Sequence, residues 1–449
     1  MNLNWVFPRG GQLFVSLVGL VFCTIAGGVC CRQASAEAIF LADVQRHALA
    51  HSFALKITGS DIALQKIVQD EARSLYFPTL ELRYDLGYAW GLDNDASAVA
   101  IGDAVSTTDV SVWRNSLSAS TSLLLYDGGA REQKVVAARH GMQAAEFARA
   151  DQTQQVQQQV LEAYLDGLQA QTRFMAMREI VVQRKGLFRS LERLQEAGIV
   201  GQERLQVVAL DLAADLTRLD DVQGSWHQAL LRLTELTGVH YSPAETRLEP
   251  LDVQHEYGAH SFAVETLPQI TSIDAETARL KAERSAALRS LFPSVGLYGS
   301  YRFYGSDPER GSQALKDLRP RDATVAMVVQ WQFSGYRDRL QLDRLDEQLR
   351  RLNWQRKQKI AELEREVGRL RQAAELFSAQ VEHQQGFQQS VTTLSQATQR
   401  LRKQGIIEEP DALQRAIDHL ERELQSELVR HRQQADLLRL QIWQQGVGS

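Results

Sequence analysis

"RSLYFPTLELRYDLGYAW" (73–90) and "RSLFPSVGLYGSYRFYG" (289–305) are two versions of one segment, with Pro78 answering Pro293. In the first, Leu80, Leu82, Tyr84, Leu86, Tyr88 and Trp90 fall on one face, and Glu81, Arg83, Asp85, Gly87 and Ala89 on the other. That is a period of two, the mark of a strand with one apolar and one polar side. The chain returns through 113–126, where Ser116, Ser118, Ser120 and Ser122 alternate with Leu117, Ala119 and Leu123. The second version behaves alike: Val295, Leu297, Tyr301 and Phe303 share a face, as do Val325, Met327, Val329, Trp331 and Phe333. Ten-residue segments, apolar outside and polar inside with aromatics near their ends, are the signature of a transmembrane β-barrel. The aromatics expected at the membrane interfaces are Tyr88, Trp90, Trp113, Tyr301, Trp331 and Phe333.

The duplication extends beyond the strands. "LLYDGGARE" (124–132) matches "WQFSGYRDR" (331–339), and "LQEAGIVGQE" (194–203) matches "LRKQGIIEEP" (401–410). "LLRL" at 230–233 recurs at 437–440, and these three matches share an offset of 207 residues. The expected organisation is a signal segment over 1–36, a first repeat over 37–258 and a second over 259–449. Strands are expected at about 79–90, 113–126, 294–304 and 324–334. The connections 91–112 and 306–323, rich in Asp, Ser and Gly, read as solvated loops.

Between strands and repeat ends the pattern is helical. No proline occurs between Pro78 and Pro243, nor between Pro320 and Pro410. The stretch 129–197 predicts a helix of about 100 Å at about 1.5 Å per residue. A return helix carries Leu205, Val208, Leu212, Leu216 and Leu219 on one stripe. The second repeat predicts the same hairpin over about 337–445, with Leu413, Ile417, Leu420, Leu424 and Leu428 on its return. Gly198 and Gly405 sit at the turns, and Pro410 suits the first turn of a helix.

Composition narrows the class. An apolar core from Leu13 to Ile25, ending in Ala34-Ser35-Ala36, reads as a secretory signal cleaved after Ala36. The core is shorter than the roughly 20 residues a membrane span needs. Cys23, Cys30 and Cys31 all fall inside that segment, so the mature chain would hold no disulfide, cysteine-ligated metal or cysteine nucleophile. Of 50 Lys and Arg, Arg9 and Arg32 lie in the segment, leaving 48 against 55 acids, a net charge of −7. An acidic exported chain is a poor partner for nucleic acid. Phosphate loops, metal-spaced histidines and nucleophile elbows are missing from the sequence, so no enzyme and no cofactor are expected. Four strands cannot close a barrel, and open edges are not tolerated in lipid, so chains must pool strands. Two chains give eight, three give twelve with room for a lumen.

In order, these motifs resemble the TolC-like outer membrane efflux proteins: "SL-(Y)FP" before a strand, "LLLYDGG" into a long helix, "EAYLDGLQA", the tip "AGIV" and "LTELTG". The resemblance implies a mixed α/β membrane protein. It would be a homotrimer whose twelve-stranded barrel in the outer membrane of a Gram-negative bacterium continues as a periplasmic α-barrel. It implies a passive duct for efflux or type I secretion, partnered by a periplasmic adaptor and an inner-membrane transporter. By the same resemblance, Pro78, Pro293, Gly128, Gly129 and Gly335 mark strand–helix junctions. Gly198, Ile199, Val200, Gly405, Ile406 and Ile407 are adaptor-facing tips, and Asp411, Glu408 and Glu409 form an acidic periplasmic gate. Acids at a helix start also stabilise the helix regardless of function. Arg402 stands where the family commonly has an aromatic, and Arg204 where it commonly has an acid. The alternative is an exported coiled-coil spacer of the envelope, which would need no lipid-facing strands.

Overall fold

The computed structural model describes residues 37–90, 112–251, 263–332 and 335–445. The expectations for the signal segment, the 91–111 loop and Phe333 lie outside the described residues. In chain order the elements are β1 (Glu37–Ile39), α1 (Leu41–His51), α2 (Phe53–Ser74), β2 (Thr79–Ala89), β3 (Val112–Tyr126), α3 (Ala130–Glu196), α4 (Gln202–Thr237) and β4 (Thr246–Leu248). The second half continues with α5 (Pro268–Arg289), β5 (Ser294–Asp307), α6 (Gly311–Lys316), β6 (Arg319–Gln330), α7 (Tyr336–Lys403) and α8 (Glu409–Gln445).

The four long strands form one antiparallel sheet in the order β2-β3-β5-β6. Register aligns the alternation of all four. Leu82, Ala119, Tyr301 and Ala323 lie in one row, and Leu80, Thr121, Gly299 and Val325 in the next. Rows of the opposite face read Arg83, Ser118, Arg302, Asp322 and Glu81, Ser120, Ser300, Thr324. One face is thus mainly apolar and the other polar. The apolar face is bare: Leu80, Leu82, Val325, Met327 and Val329 are all exposed. Burying it is what the sheet lacks within one chain.

The final strand starts and ends earlier than its sequence pattern indicates. It runs Arg319–Gln330, against the expected 324–334, so Trp331 stands just beyond it. β5 extends to Asp307, and α6 occupies part of the expected loop. The Asp, Ser and Gly of 306–323 read as loop, yet the strands extend into it and Pro320 lies inside β6. β6 is an edge strand, where a residue without N–H forfeits no ladder bond. Pro320 pairs with Phe303 at a local register shift.

Helices carry the strand order onward. α2 feeds β2, β3 feeds α3, α5 feeds β5 and β6 feeds α7, and the helices pack side by side as α2-α3-α5-α7. Further from the sheet, α4 and α8 flank α3, and α7 lies beside α8, giving α4-α3-α8-α7. The chain is one section of wall whose flanks are β2, α2 and α4 on one side, and β6 and α7 on the other. α3 and α7, with 67 and 68 residues, each run about 100 Å.

Two bidentate pairs bolt α5 to α7: Arg284 Nε to Asp346 at 2.7 Å, and Arg356 Nε to Asp274 at 2.7 Å. At mid-length, α1 and α2, the β1–β4 parallel pair and α8 close over α3. The Tyr164 hydroxyl lies between the carbonyls of Ile39 (2.8 Å) and Glu249 (2.7 Å), which share its one proton, and Gln171 bonds both backbone groups of Leu248. The core there is built on Val160, Leu161, Leu230 and Leu233, and a second near the tips on Ile180, Leu191 and Ile417. α1, α2, α5 and this strap are elements the sequence pattern did not reveal.

Candidate functional site

Two regions carry the features expected of a conduit: the collar where strands become helices, and the helix tips.

The collar is built by Asp127-Gly128-Gly129. Both glycines have positive φ (67° and 82°), and the Asp127 carboxylate accepts from the N–H groups of Gly129 (3.1 Å) and Arg131 (2.8 Å), starting α3. A side chain on Gly128 would meet the Arg289 carbonyl and Phe292 Cβ at 2.9 Å, so the two repeats touch here backbone to backbone. Arg131, unremarked in the sequence, holds the collar together. Its guanidinium donates to the carbonyls of Leu75 (3.2 Å), Leu124 (2.8 Å) and Leu125 (3.2 Å) and pairs with Asp127 at 3.2 Å. It also lies over the Tyr76 ring, 4.6 Å from the centroid. In the second repeat Gly335 also has positive φ (57°), and Trp331 Nε1 donates to the Leu291 carbonyl at 2.9 Å. Pro78 and Pro293 each stand immediately before a strand, at the end of the turn that follows α2 or α5.

Aromatic residues gather at both ends of the sheet. At the far end Tyr88 packs edge-on to Trp113 (5.2 Å) and Trp90 (5.3 Å). At the collar Phe77, Phe292, Tyr126, Trp331 and Tyr336 are exposed. Phe77 and Tyr88 are eleven residues apart, about 36 Å along a strand, or about 26 Å along the membrane normal at a tilt of about 45°, matching the apolar band of outer-membrane barrels. Tyr301 falls at mid-strand beside Phe303 (5.1 Å), not at an end. The expectation for Tyr301 followed its face and missed its height. Phe77 and Phe292 were legible as the duplicated phenylalanine before each proline.

The tips are twins. Ile199 N–H bonds the Leu194 carbonyl and Gly198 N–H that of Gln195; Ile406 N–H bonds Leu401 and Gly405 N–H bonds Arg402. This is the Schellman closure of a helix, and it requires positive φ at Gly198 (73°) and Gly405 (71°). The closure throws Ile199 and Ile406 into solvent, 70% and 66% exposed, while Val200 and Ile407 are half-buried. Val200 packs on the tip core.

The candidate gate carboxylates are not bare. Asp411 pairs with Arg204 at 3.3 Å. Glu409 accepts from Arg402 at 2.9 Å and Arg193 at 3.1 Å. Glu408 is exposed and forms no ion pair among the described residues. Arg204 and Asp411 stand one duplication offset apart, so equivalent positions of the two hairpins are joined. Deeper, Arg184 Nε bonds buried Asp215 at 2.9 Å and its Nη1 bonds Gln414 Oε1 at 3.3 Å, tying α3, α4 and α8 together. Among the described residues no group of three or more His, Cys, Asp or Glu could hold a metal ion, and no helix is long and apolar enough to cross a membrane.

Residues 47–239 match the family model described as outer membrane efflux protein. No curated protein sequence matches the chain. Solved structures do match it closely in shape. The outer membrane protein VceC of Vibrio cholerae superposes with a TM-score of 0.72 at 15% identity, covering 91% of this chain and 96% of its own. The CmeC outer membrane channel of Campylobacter jejuni gives 0.70 at 13% identity, covering 89% and 85%. The open MtrE outer membrane channel of Neisseria gonorrhoeae gives 0.65 at 17%, covering 89% and 88%. The chain therefore carries the sequence pattern of the outer membrane efflux proteins over residues 47–239 and, along most of its length, the fold of their channels.

Proposed function

We propose that the chain is one third of an outer-membrane exit duct, a homotrimer with a long periplasmic tunnel. The observation that carries this reading is the wall itself. A sheet with one apolar and one polar face continues into helices in the same lateral order, and among the described residues both flanks are left unpaired. Unpaired edges cost several kcal/mol per backbone group in lipid, so β6 of one copy must meet β2 of the next. Three copies of four strands give twelve, closed around a polar lumen. α7 of one copy then meets α2 and α4 of the next. The apolar face contacts lipid, with its two aromatic belts at the interfaces.

At the periplasmic end, Arg204–Asp411 and the two arginines on Glu409 latch the start of α8 to the first hairpin and hold the mouth narrow. The exposed Ile199 and Ile406 offer apolar contacts to a periplasmic adaptor, itself coupled to an inner-membrane pump. In this reading the duct is passive and the pump supplies the energy. The decisive experiment is single-particle imaging after mild detergent extraction from outer membranes. A hollow threefold cylinder more than about 100 Å long, with a detergent belt at one end, is expected. A belt-free rod, or release from membranes by salt alone, would replace the duct with an envelope spacer.

A further inference from the structure

A cleft of about 860 Å³ opens between α3, α5 and α7, a few turns below the collar. Six of its lining residues are charged: Lys134, Arg279, Arg344, Arg351, Glu276 and Glu283. Both glutamates are consumed by one arginine, Arg279, which pairs with each. Lys134, Arg344 and Arg351 form no ion pair among the described residues, although acids abound on the same helices. Asp274 and Asp346 are instead spent on the bolts to Arg356 and Arg284. A side chain on Gly141 would meet Gln65 of α2 and Arg279 of α5, so residues from both neighbours of α3 come together on the cleft's side of it, the side that faces the lumen in the duct reading. Arg302, in the row of Arg83, Ser118 and Asp322, forms no ion pair among the described residues. At the mouth, Asp411 and Glu409 are each met by arginine.

Resting on the duct reading, we propose that the lumen is an anion path: Lys134, Arg344 and Arg351 of each copy form a cationic girdle that admits carboxylate- or phosphate-bearing cargo. Four cations against two carboxylates leave two net positive charges per copy and six per ring. The girdle attracts anions without binding them tightly, since its side chains are exposed and separate. Its reach is a Debye length, about 8 Å at 0.15 M salt and about 30 Å at 0.01 M. The preference must therefore sharpen as salt falls.

The test is the reversal potential of the purified full chain in planar bilayers under a potassium chloride gradient. Chloride is expected to pass in preference to potassium, with the permeability ratio rising at least about twofold between about 0.15 M and 0.01 M salt. Arg344→Gln with Arg351→Gln should pull the ratio toward one, and Arg344→Lys with Arg351→Lys should keep it. Both residues are exposed and unpaired, so neither pair of substitutions threatens the fold. A pore that prefers potassium, or whose chloride preference survives both glutamines, overturns the girdle and leaves the duct standing. No conductance from the wild type or from Arg204→Ala overturns the duct, and the girdle with it.

Discussion

Arg131 is the residue whose loss should damage the molecule most for its size. Its side chain is 8% exposed, and its partner Asp127 is 13% exposed. Truncation to alanine strips hydrogen bonds from three backbone carbonyls, those of Leu75, Leu124 and Leu125, and leaves the Asp127 carboxylate without its countercharge. Removing one member of a buried ion pair costs about 3–5 kcal/mol, mostly from the stranded partner. Asp127 keeps two backbone N–H donors, which favours the lower end, about 3 kcal/mol. Arg131→Lys retains the charge but not the planar fork and should lose about half as much. The assay is unfolding of the detergent-solubilised protein by urea, with proteolysis between β3 and α3 as a local probe. The order should be wild type, lysine, alanine, with the alanine variant cleaved first at the collar. Removing both charges, as in Arg131→Leu with Asp127→Leu, should cost less than the sum of the single changes. An alanine variant within about 0.5 kcal/mol of wild type, or additive losses in the double variant, would refute the clamp.

Three further outcomes follow from the geometry. Gly198→Ala and Gly405→Ala meet no steric contact but force a left-handed conformation, so each should cost about 1 kcal/mol, with asparagine tolerated better; equal stability of all three would count against the Schellman reading. Arg204→Ala and Asp411→Ala should each raise single-channel conductance with little loss of stability, because the pair is exposed, and the exchange Arg204→Asp with Asp411→Arg should restore the narrow state; a swap that behaves like either single change removes the pair from the latch. His431 is buried, and burial first, then the Arg430 charge, lowers its pKa from 6.5 to about 4. Since the unfolded chain takes the proton first, stability present above about pH 6.5 should fall between pH 6.5 and 4 by up to about 3 kcal/mol, and His431→Gln should flatten that slope in urea titrations at fixed pH.

What the sequence disclosed was whatever repeats with a period. Alternation placed β2 and β3 within a residue, because each face meets one environment throughout. Unbroken helical pattern placed α3 and α7 nearly to the residue, since a glycine with positive φ punctuates every end. Features that depend on a third element stayed hidden. α5 went unread, because its burial comes from α3 and α7. Arg131 lies in a run that reads as a helix start, and nothing local says that its guanidinium will cap the ends of α2 and β3. Tyr301 was placed on the correct face but at the wrong height, for alternation reports side and not depth.

The gate carboxylates make the same point at the tips, and there the duplication explains the outcome. A freshly doubled unit places the same residue at both members of each pair, and like charges at 204 and 411 would repel. Here they have diverged to arginine and aspartate and bond each other. The offset also relates Arg131 to Asp338, so the guanidinium clamp of the first collar gives way in the second to Trp331, whose Nε1 meets the carbonyl of Leu291. Divergence of charge turns two equal hairpins into unequal partners, one of which holds the other's helix start. A wall whose repeats are alike in backbone but opposite in charge can close a ring and still carry a latch, since symmetry governs the strands and asymmetry the contacts between hairpins.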